Sequence, residues 1–208
     1  MSYQIALATS CLAAVSLAHA CLGDFVMYAN YSPWLAHVNG PVVDPGILTA
    51  FDPANGSVQP VQGDMFAAQG LMMNSWPGLV ARQYPASNNF YITTDTPGAS
   101  VELVFTTPVL AAWVTSALNQ VGTPSDHGYL VQFFSGNSLM GQSTVFGAVG
   151  AISTVPFDRV VIGAPLATDI VRFSGVYFAP IPGPGGVAML LGGLALAPGR
   201  RRSLHAER

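Results

Sequence analysis

The stretch "GYLVQFFSGNSLMGQSTVF", Gly128 to Phe146, reads as two strands joined by a turn. Tyr129, Val131 and Phe133 fall on one face, and Leu130, Gln132 and Phe134 on the other. Alternation with period two, carried by β-branched and aromatic residues, marks a half-buried strand. Ser135-Gly136-Asn137 is turn chemistry, and the chain returns as Leu139 to Phe146. The same pattern spreads outward from this hairpin. "SVELVFTT", Ser100 to Thr107, puts Val101, Leu103 and Phe105 on one face, with Ser100 and Glu102 opposite. "DRVVIGA", Asp158 to Ala164, and "TDIVRFSGVYFA", Thr168 to Ala179, continue it. In the last, Val171, Phe173 and Tyr177 alternate with Arg172, Ser174 and Val176.

Turn signals at Thr96-Pro97-Gly98, Thr123-Pro124-Ser125-Asp126 and Ala164-Pro165 separate these runs. No long stretch between the chain ends shows a 3.6-residue period. Several short strands at close spacing predict an all-β fold, a single β-sandwich or jelly-roll-like domain over residues 21–179. Ser32 to Asn89 is rich in Pro, Gly, Asn and Gln. It is expected to form long loops with one or two strands and one short helix. Met72, Met73 and Trp76 are expected to cap one end of the sandwich.

Composition excludes some functions. The chain has no lysine, and residues 21–179 hold three arginines (Arg82, Arg159, Arg172) against nine acids. Such a surface repels a phosphate backbone, so no nucleic-acid partner is expected. Val, Ile, Leu and Phe are plentiful enough for a packed core.

Little in the sequence points to chemistry. His37 and His127 are the only histidines between the ends, and no Gly-x-Ser-x-Gly elbow occurs. A triad needs a base within reach of a nucleophile, and the adjacent Asp126 and His127 do not supply one. Two distant histidines give no zinc spacing. "DPANG", Asp52 to Gly56, is ordinary turn chemistry with too few acids for calcium. Asp95 and Asp169 near a sandwich rim are the remaining cation candidates. Tyr31, Trp34, Trp76 and Tyr84 are candidates to stack on sugar rings, although loop aromatics more often pack. No catalytic residue and no cofactor is expected.

The two ends speak to destination. "IALATSCLAAVSLAHA", Ile5 to Ala20, is apolar and closes on Ala18-His19-Ala20. Small residues at Ala18 and Ala20 suit a signal peptidase, so residues 1–20 are read as a signal helix cleaved after Ala20. Cys21 would then lead the mature chain, which also raises a lipoprotein reading, with Ala18 where lipidation prefers Leu. Cys11 lies inside the signal, leaving Cys21 without an internal disulfide partner. At the other end, Gly185 to Pro198 carries no charge and stops at Arg200, Arg201 and Arg202. As a helix it spans roughly 21 Å against a hydrocarbon core of about 30 Å. That is a temporary stop, its arginines held on the cytoplasmic side.

This arrangement resembles the C-terminal sorting signal of PEP-CTERM proteins. Pro182-Gly183-Pro184 stands where their Pro-Glu-Pro-like motif belongs, with Gly183 in place of glutamate. Val187 to Leu196 matches the short apolar transmembrane helix, and Arg200 to Arg202 the arginine cluster. Residues 180–208 are thus read as the sorting signal. "FTTPVLAAWV", Phe105 to Val114, resembles the strand–Pro–strand step of the exported β-sandwich domains that carry such signals, and "FFSGNSLMGQSTV" their central hairpin. "FDRVVI" and "VRFSGVYFAP" resemble their last two strands. The resemblance implies export from a Gram-negative-type bacterial cell and processing by an exosortase-type enzyme. It also implies transient inner-membrane anchorage through the C-terminal helix, and association with extracellular polysaccharide. The expected function is a non-enzymatic surface or extracellular-matrix protein. The alternative is a carbohydrate-binding module, calcium-assisted or not.

Overall fold

A computed structural model describes residues 24–55, 58–83, 90–116, 128–164 and 166–181. The signal-peptide residues Ala18 and Ala20, and Cys21, lie outside them, as do Pro182, Pro184 and Arg200 to Arg202 of the sorting signal. Among the described residues no helix is long and apolar enough to cross a membrane.

The described residues form ten strands: β1 (Phe25–Tyr28), β2 (Val58–Val61), β3 (Leu71–Asn74), β4 (Leu79–Gln83), β5 (Phe90–Thr93), β6 (Val101–Ser116), β7 (Tyr129–Ser135), β8 (Ser138–Val145), β9 (Ala148–Gly163) and β10 (Arg172–Pro180). One helix, α1 (Tyr31–His37), and three single 3₁₀ turns accompany them among the described residues. The strands are hydrogen-bonded in the order β2-β4-β5-β10-β6-β9-β7-β8, all antiparallel, with β1 on β9 and β3 on β6.

The two 16-residue strands, β6 and β9, turn this sheet into a sandwich. Each changes partners midway. Val101–Val104 of β6 lies between β9 and β3, whereas the stretch from Val109 on lies between β9 and β10. Pro108 and Pro156 sit at the two changes, and the β6–β9 register slips there. A proline offers no N–H to the ladder, and an irregular register bends the strand. Strands that switch layers in this way make the corners of a sandwich. One layer is β3-β6-β9-β7-β8, using the first half of β6 and the second half of β9. The other is β2-β4-β5-β10-β6-β9-β1, using the remaining halves.

Ring contacts between the layers show that they face each other. Phe25 on β1 lies 5.5 Å from Phe133 on β7, and Phe178 on β10 lies 5.0 Å from Phe105 on β6. Phe157, beside the β9 corner, meets Phe25, Phe105 and Phe133 at once. Edge-to-face geometry suits such clusters, and these rings are the centre of the core. The predicted inward sets Val101/Leu103/Phe105 and Tyr129/Val131/Phe133 are all buried. The predicted hairpin is β7–β8.

Three expectations are corrected. In β10 a register shift lies between Phe173 and Gly175, where Ser174 is the extra residue. It reverses the alternation, so Val176 and Phe178 are buried inward and Tyr177 points out beside Tyr31. Ser32 to Asn89 contains three strands, β2, β3 and β4, not one or two. Trp76 does not cap the sandwich; it is 88% exposed, whereas Met73 is buried.

Helix α1 covers the outer face of the second layer. Trp34 is fully buried there, its Nε1 donating to the carbonyl of Ala151 at 3.2 Å. It packs on Trp113 and Tyr31, with Ala111 and Ala179 beneath. Gly150 makes room for both indoles.

Candidate functional site

Among the described residues no helix lies over the outer face of the first layer. Its residues are those that alternate away from the core: Asn74 on β3, Glu102 on β6, Val161 and Arg159 on β9, Gln132 and Phe134 on β7, and Gln142 on β8. Strand register sets them in rows. Asn74 stands opposite Glu102, Glu102 opposite Val161, Val161 opposite Gln132, and Gln132 opposite Gln142. A second row holds Val104, Arg159, Phe134 and Leu139.

The polar members are tied together. Asn74 Nδ2 donates to Glu102 Oε2 at 3.2 Å, and Arg159 Nη1 donates to Glu102 Oε1 at 2.8 Å. Arg159 Nη2 reaches the Gly136 carbonyl at 2.9 Å, and the guanidinium lies 4.6 Å above the Phe134 ring. Gln132 Nε2 donates to Gln142 Oε1 at 2.9 Å. The Arg159 hydrogen bond holds the Glu102 carboxyl below the usual carboxylate range, with Asn74 adding to it and partial burial opposing both. Glu102 is therefore an anion at neutral pH, with its charge already matched by Arg159.

The turn after β3 puts an aromatic at the end of the first row. Ser75 Oγ donates to the Ser100 carbonyl at 2.8 Å, anchoring the turn to the start of β6. Trp76 follows, joined to Pro77 by a cis peptide and standing clear of the surface. Trp76, Asn74, Ser75, Ser100, Glu102 and Val161 line an open groove of about 450 Å³. An exposed indole face beside a fixed carboxylate and amide suits a ligand with one apolar face and a polar edge.

The other sequence candidates fall elsewhere. Trp34 is core and has no face to offer a sugar. Tyr31 packs on Trp34, Trp113 and Tyr177. Tyr84, Asp126 and His127 lie outside the described residues. His37 faces solvent at the end of α1, 2.7 Å from the Pro33 carbonyl. Asp95, in the left-handed region at φ 53°, receives both forks of the Arg82 guanidinium. Asp52 accepts from the Ala54 N–H at 2.9 Å and from Asn55 Nδ2 at 3.2 Å, which is turn chemistry. Asp169 sits in the loop before β10, where its carbonyl accepts from the Gly98 N–H. Among the described residues no three His, Cys, Asp or Glu side chains gather in a metal-binding group. The sequence reading named Trp76 but missed Glu102, Arg159, Gln132 and Gln142 as a unit. Their outward positions were readable, but the register that aligns them was not.

No family model and no curated protein matches this chain. Distant likenesses exist among solved structures, among them two from Clostridium perfringens. The CBM32-1 and CBM32-2 domains of ZmpB in complex with GalNAc align at a TM-score of 0.33 and 15% identity. That alignment covers 60% of this chain and 39% of the other, so this chain spans about two fifths of the structure it is compared with. CBM32-3 from a family 31 glycoside hydrolase aligns at a TM-score of 0.31 and 10% identity, over 67% of this chain and 95% of the other. These likenesses are too distant for a site or a ligand to be carried across.

Proposed function

We propose that this chain is a non-enzymatic, exported β-sandwich that works at the cell surface or in the extracellular matrix and holds polysaccharide at the Trp76 groove. The observation that carries the binding reading is Trp76, 88% exposed, beside Glu102 and Asn74 in one groove. Leaving an indole in water forgoes favourable burial of its large apolar surface. A sugar ring repays it: its C–H face covers the indole while its hydroxyls reach a carboxylate and an amide.

The same groove favours holding over cleaving. Glycoside hydrolysis generally uses two carboxyl groups, one of them protonated. Glu102 is the single carboxylate among the residues lining the groove, and its pKa is pushed down rather than up. Export rests on the sequence ends: the apolar run closing on Ala18-His19-Ala20, and the Pro182-Gly183-Pro184, apolar, Arg200–Arg202 arrangement. An exosortase-type enzyme is the proposed processor of the second.

Two experiments test these parts. The full chain and its Trp76→Ala variant are incubated with a panel of soluble and insoluble polysaccharides, and bound protein is measured. Retention by at least one polysaccharide, lost in the variant, is expected; equal retention of both, or none on any, contradicts the reading. Mass spectrometry of both ends of the native protein tests export, with a first residue at Cys21 expected and one at Met1 contradicting it.

A further inference from the structure

The polar row that begins beside Trp76 does not stop at the groove. From Asn74 through Glu102, Val161 and Gln132 to Gln142 it crosses five adjacent strands, each residue opposite the next. Four strand spacings make it about 19 Å long. Several sugar rings are needed to fill that length. We propose that the whole row is one extended site, taking an uncharged polysaccharide laid across the strands, with Trp76 as the platform at one end. The inference rests on the carbohydrate reading above and names the class of polymer and its path.

Three observations carry it. First, hydrogen-bonding groups occur along the row rather than in one cluster: amides at Asn74, Gln132 and Gln142, and the carboxylate at Glu102. A side-chain amide has two donor hydrogens and an acceptor oxygen, and the Gln132–Gln142 bond uses only part of that capacity. Second, the row is nearly free of net charge. Glu102 faces Arg159, whose other contacts are the Gly136 carbonyl and the Phe134 ring, so no guanidinium is aimed along the row at an acidic sugar. A uronate polymer would meet the Glu102 anion and gain nothing for it. Third, the neighbouring row carries apolar Val104 and Leu139 on either side of the Arg159–Phe134 stack, giving the C–H faces of sugar rings a surface to lie on at two points along the path.

The test is titration of the full chain with a size series, from mono- to hexasaccharide, of a neutral polymer that it retains. Affinity is expected to rise about tenfold between di- and pentasaccharide, the gain from one or two net hydrogen bonds. Gln142→Ala is expected to weaken the hexasaccharide several-fold and leave the disaccharide unchanged, while Trp76→Ala weakens both. Gln142 is on an exposed edge strand, so its loss spares the fold, which a thermal melt checks. An affinity that levels off at the disaccharide overturns the extended site while leaving the Trp76 groove intact. Indifference of the hexasaccharide to Gln142→Ala does the same. Tighter binding of a uronate or amino-sugar polymer than of any neutral one overturns the uncharged class. Binding to no saccharide overturns the underlying reading instead.

Discussion

A single methyl group at Gly150 probes how α1 is held to the sheet. A Cβ there would stand 2.4 Å from Trp113 Cε3 and 2.7 Å from Trp34 Cδ1. Unstrained carbon contacts are about 3.5–4 Å, so the two rings must each retreat by about 1 Å. Neither is loose. Trp34 is tied to the Ala151 carbonyl and Trp113 Nε1 to Thr115 Oγ1 at 3.0 Å. Overpacking of this kind costs about 1–3 kcal/mol, and losing the Trp34 hydrogen bond would add about 1. Restricting the unfolded chain offsets about 0.4–1 of this. A net loss of about 2 kcal/mol is predicted for Gly150→Ala, a fall in Tm of about 4–8 °C for a chain of this size. Gly147→Ala is the control, because a Cβ there meets nothing within 4 Å. Urea unfolding followed by tryptophan fluorescence gives both values, since Trp34 and Trp113 report the affected contact. If Gly150→Ala and Gly147→Ala unfold at the same urea concentration, the indole clamp described here is wrong.

Further predictions concern the core, the acid limb and the C-terminus. Phe133→Ala removes a fully buried ring and should cost about 3–5 kcal/mol in urea unfolding, against less than about 1 for a surface ring. The Glu102 pKa is lowered in the fold, so its contribution is present above the unfolded carboxylate pKa and fades as pH falls through the folded one. Glu102→Gln should therefore flatten the acid side of the stability profile in thermal melts from pH 7 to pH 3, and an unchanged acid limb refutes this. Replacing Arg200, Arg201 and Arg202 with Ser removes charges that each cost about 2.5–3.5 kcal/mol to drag through a bilayer centre. Cell fractionation should then find less of the protein held in the inner membrane; wild-type fractionation would show that the arginines are not the stop.

The strands most legible in the sequence are those with one covered face. β7 and the first half of β6 alternate cleanly because Gln132 and Glu102 look outward to solvent while Val131 and Leu103 look in. The first half of β9 gave no such signal. Val149, Gly150 and Ala151 are all buried, the inner face by the core and the outer face by Trp34, so alternation disappears. β2 was hidden by its four-residue length and by Pro60, which an edge strand tolerates. The reversal in β10 depends on a bulge at Ser174 that its neighbours impose. The candidate site divides in the same way. Trp76 was visible as a loop aromatic, but its exposure, and the burial of Trp34, are tertiary facts. Glu102 and Arg159 are 57 residues apart in the chain, and only the pairing of β6 with β9 makes them partners.

Acrylamide quenching of tryptophan fluorescence, with and without a retained glycan, tests the central claim most directly. Of the three tryptophans, Trp34 and Trp113 are buried and Trp76 alone is open to the quencher. The account predicts that the readily quenched part of the emission belongs to Trp76, disappears in Trp76→Ala, and is shielded when the saccharide binds. A saccharide that binds while leaving that emission as quenchable as before would place the site elsewhere and contradict the account.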